Sequence, residues 1–361
     1  MKGQGHHIFV DELNRFAAAQ DDARVTAIAE RAAAPLRVAV QGRRGVGRGT
    51  VARALGRAAA AGITVHPPGA GTGQDVDVVV YVTAEVIKPE DADAIAAARR
   101  PLLAVLNKAD LTGSLSGRTG SGPIAAARVR CAELAVLVGV PVEPMIGVLA
   151  VAADGGLDDT SWAALRILAA HPGGADGLDG SFEGFLAADN PVPPDARRRL
   201  LDTLDLFGTA LGVAAAHRGR TRAQVAALLR RMSGVDAVVD RVAALGAEIR
   251  YQRLLDAVAE LEALAVGHSG IADRIGGFLS HDDTVVARMA AAVDLAEAAG
   301  LDVGRCDEPA EHLPRAARWQ RYSRGSVSDL HRACGADIAR GSLRLWSQTC
   351  GSLPEPHGES W

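Results

Sequence analysis

Residues 36–61 read LRVAVQ, GRRGVGRGT, VARALGRAAAA. The first six, Leu36 to Gln41, are apolar and β-branched enough for a buried strand, and Thr50 to Ala61 is a strong helix former. Between them stand Gly42, Gly45, Gly47 and Gly49 in a loop of nine residues from Gly42 to Thr50. A strand, a glycine-rich turn and a helix in that order present backbone N–H groups and a helix N-terminus to an anion.

Set against the phosphate-loop pattern G-x-x-x-x-G-K-S/T, the loop keeps Gly42 and Gly47. Arg48 stands where the pattern has lysine and Gly49 where it has the hydroxyl. Arginine preserves the charge, but its planar fork does not act as the compact ammonium that bridges two phosphates. Glycine removes the oxygen that would hold Mg²⁺. By itself the loop predicts an anion site, with a glycine turn that binds nothing as the alternative reading.

A second motif sharpens the reading. Leu102 to Leu106 (LLAVL) is another buried-strand run, and Asn107-Lys108-Ala109-Asp110 follows it directly. This matches N-K-x-D, in which Asp accepts from guanine N1 and N2, Asn faces the acceptor side of the base and the lysine stem lies over the ring. Of 39 basic residues only Lys2, Lys88 and Lys108 are lysines, and one of the three falls here. The runs Asp77 to Val82 and Glu143 to Val151 are read as further strands, with a helical stretch from Pro89 to Arg100 between the second and third. Strands alternating with helices predict an α/β fold with a parallel sheet.

On these motifs the chain resembles the translation-factor-related P-loop GTPases, where GRRGVGRGTVARAL aligns with the phosphate loop and Thr50 falls at the α-phosphate position. Val65-His66-Pro67-Pro68-Gly69 lies where that family has D-T-P-G, with His66 in place of the metal-directing aspartate. The stretch Gly62 to Gln74 is too short for a full first switch. The helical half, with PVPPDARRRLLDTLDLFG, RRMSGVDAVVDRVAALGAEIRYQRLLDAVAELEALA and AARWQRYSRGSVSDLHRACGADIARGSLRLW, resembles short actinobacterial dynamin-like GTPases of the isoniazid-induced type. The resemblance implies GTP or GDP as ligand, with Gly42, Gly45, Gly47, Arg48, Gly49, Thr50, Asn107, Lys108 and Asp110 around it, no catalytic residue, no metal ligand and little dependence on Mg²⁺. It also implies a regulatory or assembly role beside another dynamin-like GTPase or a second copy. A slow or partner-completed GTPase with Arg48 as clamp and a nucleotide-free interaction module are the alternative readings.

The expected organisation is an N-terminal helical segment (1–34), a degenerate P-loop GTPase domain (35–170), a Gly-, Pro- and Asp-rich linker (171–195), a helical stalk or bundle (196–350) and a frayed tail (351–361). Val235 to Val266 carries apolar residues at helical spacing. Unbroken, it would span roughly 48 Å at ~1.5 Å per residue, an elongated stalk with part of its face left for another chain, or a kinked one. Arg315, Arg318, Arg321 and Arg324 recur every three residues beside Trp319 and Tyr322. They read as a solvated face or, more sharply, as a peripheral contact with anionic lipid. Arg197, Arg198 and Arg199 read as another solvated face. His281-Asp282 resembles the start of an HD-type metal site but lacks further ligands in register. Ile275 to Leu279 reads as core, with a small apolar tip as the alternative.

Composition bounds the rest. A net charge of −4 over 361 residues offers no global footprint for nucleic acid. Cys131, Cys306, Cys334 and Cys350 have neither zinc nor disulfide spacing, which fits a reducing cytosol. The start of the chain has acidic residues where a signal peptide needs an apolar run, and no run is long enough for a membrane span. The expected location is cytoplasmic, with the membrane's inner face as the peripheral alternative.

Overall fold

In the computed structural model, residues 5–59, 62–69, 76–113, 122–174, 178, 181–304 and 308–350 are described. They fall into two compact units, 35–242 and 1–34 with 243–361.

The first unit contains β1 (Leu36–Gly42), α3 (Arg48–Ala58), β2 (Ile63–His66), β3 (Val78–Ala84), α4 (Pro89–Ala96), β4 (Leu102–Asn107), α5 (Pro123–Val138), β5 (Val142–Met145), α6 (Gly147–Val151), α7 (Asp159–Ala170), α8 (Phe182–Ala187), α9 (Pro194–His217) and α10 (Arg222–Ser233). The five strands pair in parallel in the order β2-β1-β3-β4-β5. All residues of β4 and nearly all of β3 are buried, as their continuous apolar runs require in a parallel sheet covered on both faces. Chain order reverses between β1 and β3. In open α/β sheets this is where the carboxyl ends of the strands leave a crevice.

Glu143 to Val151 is a strand only in its first part. The strand stops at Met145 and α6 starts at Gly147, whose amide is taken by the Asn107 side chain. β2, which the sequence reading passed over, pairs with β1 from Leu36↔Ile63 to Ala39↔His66.

The described part of the expected linker 171–195 is packed. Leu178, Phe185 and Val192 are buried in one core with α7 and α9. Arg197, expected on a solvated face, is buried too and donates to the Phe185 and Ala188 carbonyls at 2.9 and 2.7 Å. Three well-spaced apolar anchors suffice to hold a glycine- and proline-rich segment, and composition averages them away. α9 is broken at Asp205, whose φ of 60° and ψ of −178° lie outside any helix.

The second unit contains α1 (Gly5–Gln20), α2 (Ala23–Ala33), α12 (Ala247–Gly267), α13 (Ser269–Ser280), α14 (Asp282–Ala298), α15 (His312–Ser323) and α16 (Asp329–Cys350). Its core joins Phe9, Leu13, Tyr251, Leu254, Ile275 and Trp319. Buried Asp337 accepts from Tyr251 and forms ion pairs with Arg288 and Arg340.

The stretch 235–266 is not one helix: α11 (Val235–Leu245) and α12 meet at Gly246. Val235, Val238 and Val242 are buried at the end of the first unit, and Leu254, Val258, Leu261 and Leu264 in the core of the second. The apolar stripe is thus consumed within the chain. The arginine ladder on α15 also divides. A three-residue step turns about 60° around a helix, so the four positions cannot share one face. Arg315 is only 3% exposed and donates to Ser342 Oγ at 2.8 Å. Arg318 bonds the Val303 carbonyl, while Arg321 and Arg324 are exposed.

His281 is exposed and lies 3.8 Å from Asp283. No group of three His, Cys, Asp or Glu side chains among the described residues could hold a metal ion. Cys131 and Cys334 are buried free thiols. No helix of the described residues is long and apolar enough to cross a membrane. The tail 351–361 lies outside the described residues.

Candidate functional site

All nine residues singled out in the sequence lie at the carboxyl ends of β1 and β4, in the turns that follow them or in the first turn of α3. Gly42, Gly45 and Gly47 have φ of 137°, 87° and 85°, values that L side chains rarely adopt. Two of them are also tight. A Cβ on Gly42 would meet the Val82 carbonyl oxygen at 2.3 Å, and one on Gly47 would meet Asn107 Nδ2 at 2.3 Å. The glycines are therefore demanded by the turn and by its fit against β3 and β4.

α3 begins at Arg48 with Gly47 as N-cap and no side-chain cap, so its first amides have no side-chain acceptor. Arg48 folds back to donate to the Gly42 carbonyl at 2.9 Å, closing the loop on itself. Gly49 is exposed, and a Cβ there would find nothing within 4 Å. The missing hydroxyl is thus a property of the sequence and not a steric necessity. Thr50 lies beside Gly147.

Asn107 is 4% exposed and works as a brace. Its Nδ2 donates to the Val46 carbonyl at 2.9 Å, and its Oδ1 accepts from the Gly147 amide at 3.0 Å. One side chain at the end of β4 thereby sets the glycine-rich loop and the β5–α6 turn at fixed spacing. The turn is held further by Ile146, whose amide donates to the Ser233 carbonyl at 2.8 Å. Lys108 adopts a left-handed φ of 57° and is exposed. Asp110 is 7% exposed in the short 3-10 turn Ala109–Thr112. No side chain among the described residues hydrogen-bonds its carboxylate. Burial pushes the carboxyl up to about 6, and the charge of Asp205 adds to this while Lys108 opposes it.

The loop has an anchor that the sequence reading missed. Arg43 Nε lies between the two carboxylate oxygens of Asp91, at 2.8 and 2.9 Å. Asp91, in the first turn of α4, is fully buried and also accepts from the Tyr81 hydroxyl and the Lys88 amide, each at 2.9 Å. Burial works to raise this carboxyl, but the three donors overcome it and hold it below the ordinary carboxylate range. Forty-eight residues separate Arg43 from Asp91, and no motif links them. The only signal was an acid in a helix's first turn downstream of a basic loop. Arg44 is exposed and projects from the same turn.

His66 ends β2, level with Ala39 of β1. Its Nε2 is buried without a hydrogen-bond partner among the described residues. The arrangement can cradle an anion on backbone amides and present a buried carboxylate to a donor-bearing ring beside it. Neither a protein-family model nor a curated protein matches this sequence.

Proposed function

We propose that the chain binds a guanine nucleotide and hydrolyses it slowly or not at all. The observation that carries this reading is the joint placement of Asn107 and Asp110. Asn107 ties the phosphate loop to the β5–α6 turn, and Asp110 keeps a buried carboxylate with no side-chain donor among the described residues. A buried carboxylate helped only by its own backbone amide is costly. A ring carrying two adjacent N–H donors, as guanine does at N1 and N2, would repay that cost.

Low turnover follows from what the site lacks. Phosphoryl transfer rests on positioning and on neutralising β/γ charge with a lysine and Mg²⁺. Here Arg48 replaces the lysine, Gly49 offers no oxygen and His66 stands in place of an acid. A nucleotide held without a metal suits a regulator or assembly partner of an intact dynamin-like GTPase better than an independent enzyme. Calorimetric titration with GTP, GDP and ATP, with and without EDTA, together with a single-turnover GTP assay, tests the reading. Guanine-selective binding that is insensitive to EDTA, with negligible turnover, is expected.

A further inference from the structure

The first unit holds a concavity that none of the nine site residues lines. It lies between the end of α7 and the second half of α9 and has a volume of about 810 Å³. This is within the ~300 to 1,000 Å³ of small-molecule sites. Its walls are apolar: Leu168, Leu178, Phe207, Ala210, Leu211 and Val213. Leu168, Leu178 and Phe207 are themselves buried in the unit's core, which makes the floor rigid.

Polar groups gather where both helices end. The His217 ring bonds the Ala169 carbonyl through Nδ1 at 3.0 Å; a carbonyl only accepts, so that nitrogen carries the proton. His171 Nδ1 accepts from the Gly173 amide at 3.2 Å, which leaves the ring proton on Nε2 as a donor. Arg218 lines the same end. Its guanidinium has no hydrogen bond or ion pair among the described residues. Among the described residues no Asp or Glu lines the cavity.

The negative ends of the two helices are blunted. The carbonyls of Leu168, Ala215 and Ala216 already accept from the His171, Arg218 and Gly219 amides, and Ala169 accepts from His217. The cationic group is therefore not spent on capping. An apolar trough closed at one end by an N–H donor and a guanidinium with no partner among the described residues is complementary to an anionic head on a hydrocarbon chain.

We propose that this cavity binds a single-chain fatty carboxylate. The hydrocarbon lies along Phe207 and Leu211, and the carboxylate sits on Arg218 with His171 as second donor. One chain of moderate length fits between the two helices. The proposal is independent of the nucleotide reading.

The test is calorimetric titration of the full chain with sodium dodecanoate below its micellisation threshold, beside dodecanol as the uncharged analogue of the same chain length. Saturable one-to-one binding is expected, with dodecanol weaker by about tenfold, the value of one charge-assisted hydrogen bond. Arg218→Glu, an exposed change, should weaken dodecanoate by more than tenfold and leave dodecanol unchanged. Ala214→Trp, which fills the trough from its exposed wall, should abolish both, with circular dichroism checking the fold of each variant. Absence of saturable binding by the wild-type chain overturns the proposal. So does equal affinity for dodecanoate and dodecanol, or indifference of dodecanoate to Arg218→Glu. If the trough is instead covered by a second copy of the chain, sedimentation will show a dimer that Ala214→Trp disperses and dodecanoate does not, and that outcome also overturns it.

Discussion

The Asn107 side-chain amide donates to the Val46 carbonyl at 2.9 Å across 61 residues of sequence. The same side chain accepts from the Gly147 amide, so the spacing of the glycine-rich loop and the β5–α6 turn depends on one residue. Asn107→Ala leaves a buried carbonyl and a buried amide without partners, at about 2 kcal/mol for the pair. Urea unfolding should show a lower midpoint with an unchanged slope. Nucleotide affinity should fall with it, and a variant of wild-type stability would argue against the brace.

Asp110 gives the site a pH dependence. Its carboxyl is raised from 3.8 to about 6 in the folded chain, by burial first and by Asp205 second. As an acceptor for ring N–H groups it must be ionised, so affinity for GTP should drop as the pH falls through about 6. The stability effect has the opposite sense. Between the unfolded and folded values the native state holds the extra proton, so stability declines as pH rises through this window and the cost is complete above it. Asp110→Asn should therefore stabilise the nucleotide-free chain at about pH 8, lose that advantage below about pH 4, and weaken GTP binding. Thermal melts at both pH values, paired with titrations, check the two signs together.

Gly49 is a vacancy of chemistry and not of space, since a Cβ there meets nothing within 4 Å. Gly49→Ser should fold normally and gain about 0.5 kcal/mol from helix propensity at the start of α3. It should also make GTP affinity sensitive to EDTA by supplying an oxygen for Mg²⁺. Gly47→Ala tests the reverse case, because its φ of 85° and the 2.3 Å approach to Asn107 Nδ2 leave no room for a methyl group. Soluble, EDTA-sensitive Gly49→Ser beside a poorly folded Gly47→Ala is the expected pair of outcomes.

Asp91 supports the loop from outside it. Asp91→Ala deprives the Tyr81 hydroxyl and the Lys88 amide of their shared acceptor, at about 1 to 3 kcal/mol for buried groups left unsatisfied. It also releases Arg43. The Tyr81 phenol, held up at about 12 by burial first and by Asp91 second, should titrate at lower pH in Asp91→Asn. Alkaline difference absorbance reads this directly.

The strands at Leu36, Val78 and Leu102 and the two motifs were legible because each rests on local pattern: a continuous apolar run, glycines where φ is positive, an acid three residues after an asparagine. What escaped was set by tertiary contact. Arg43 and Asp91 meet only because β1 and β3 are neighbours in the sheet, so that the segments after them adjoin, and no spacing announces it. The segment around Leu178, Phe185 and Val192 reads as linker by composition, yet its few apolar residues bury it. The Val235–Leu264 stripe reads as one helix face. Gly246 divides it, and each part fills its own core. Arg315 was misassigned for a geometric reason, since a three-residue ladder must turn its first member inward when its last faces water.

The central claim is that Asp110 reads a guanine ring at the carboxyl end of β4. Calorimetric competition between GTP, ITP and ATP on the full chain tests it most directly, because ITP lacks only the N2 amino group and ATP lacks the N1 donor as well. The account predicts that GTP binds most tightly, that ITP is weaker by about tenfold for the lost charge-assisted hydrogen bond, that ATP is weakest, and that Asp110→Asn erases the order. Equal affinities for the three nucleotides, or an order unchanged in Asp110→Asn, would contradict it.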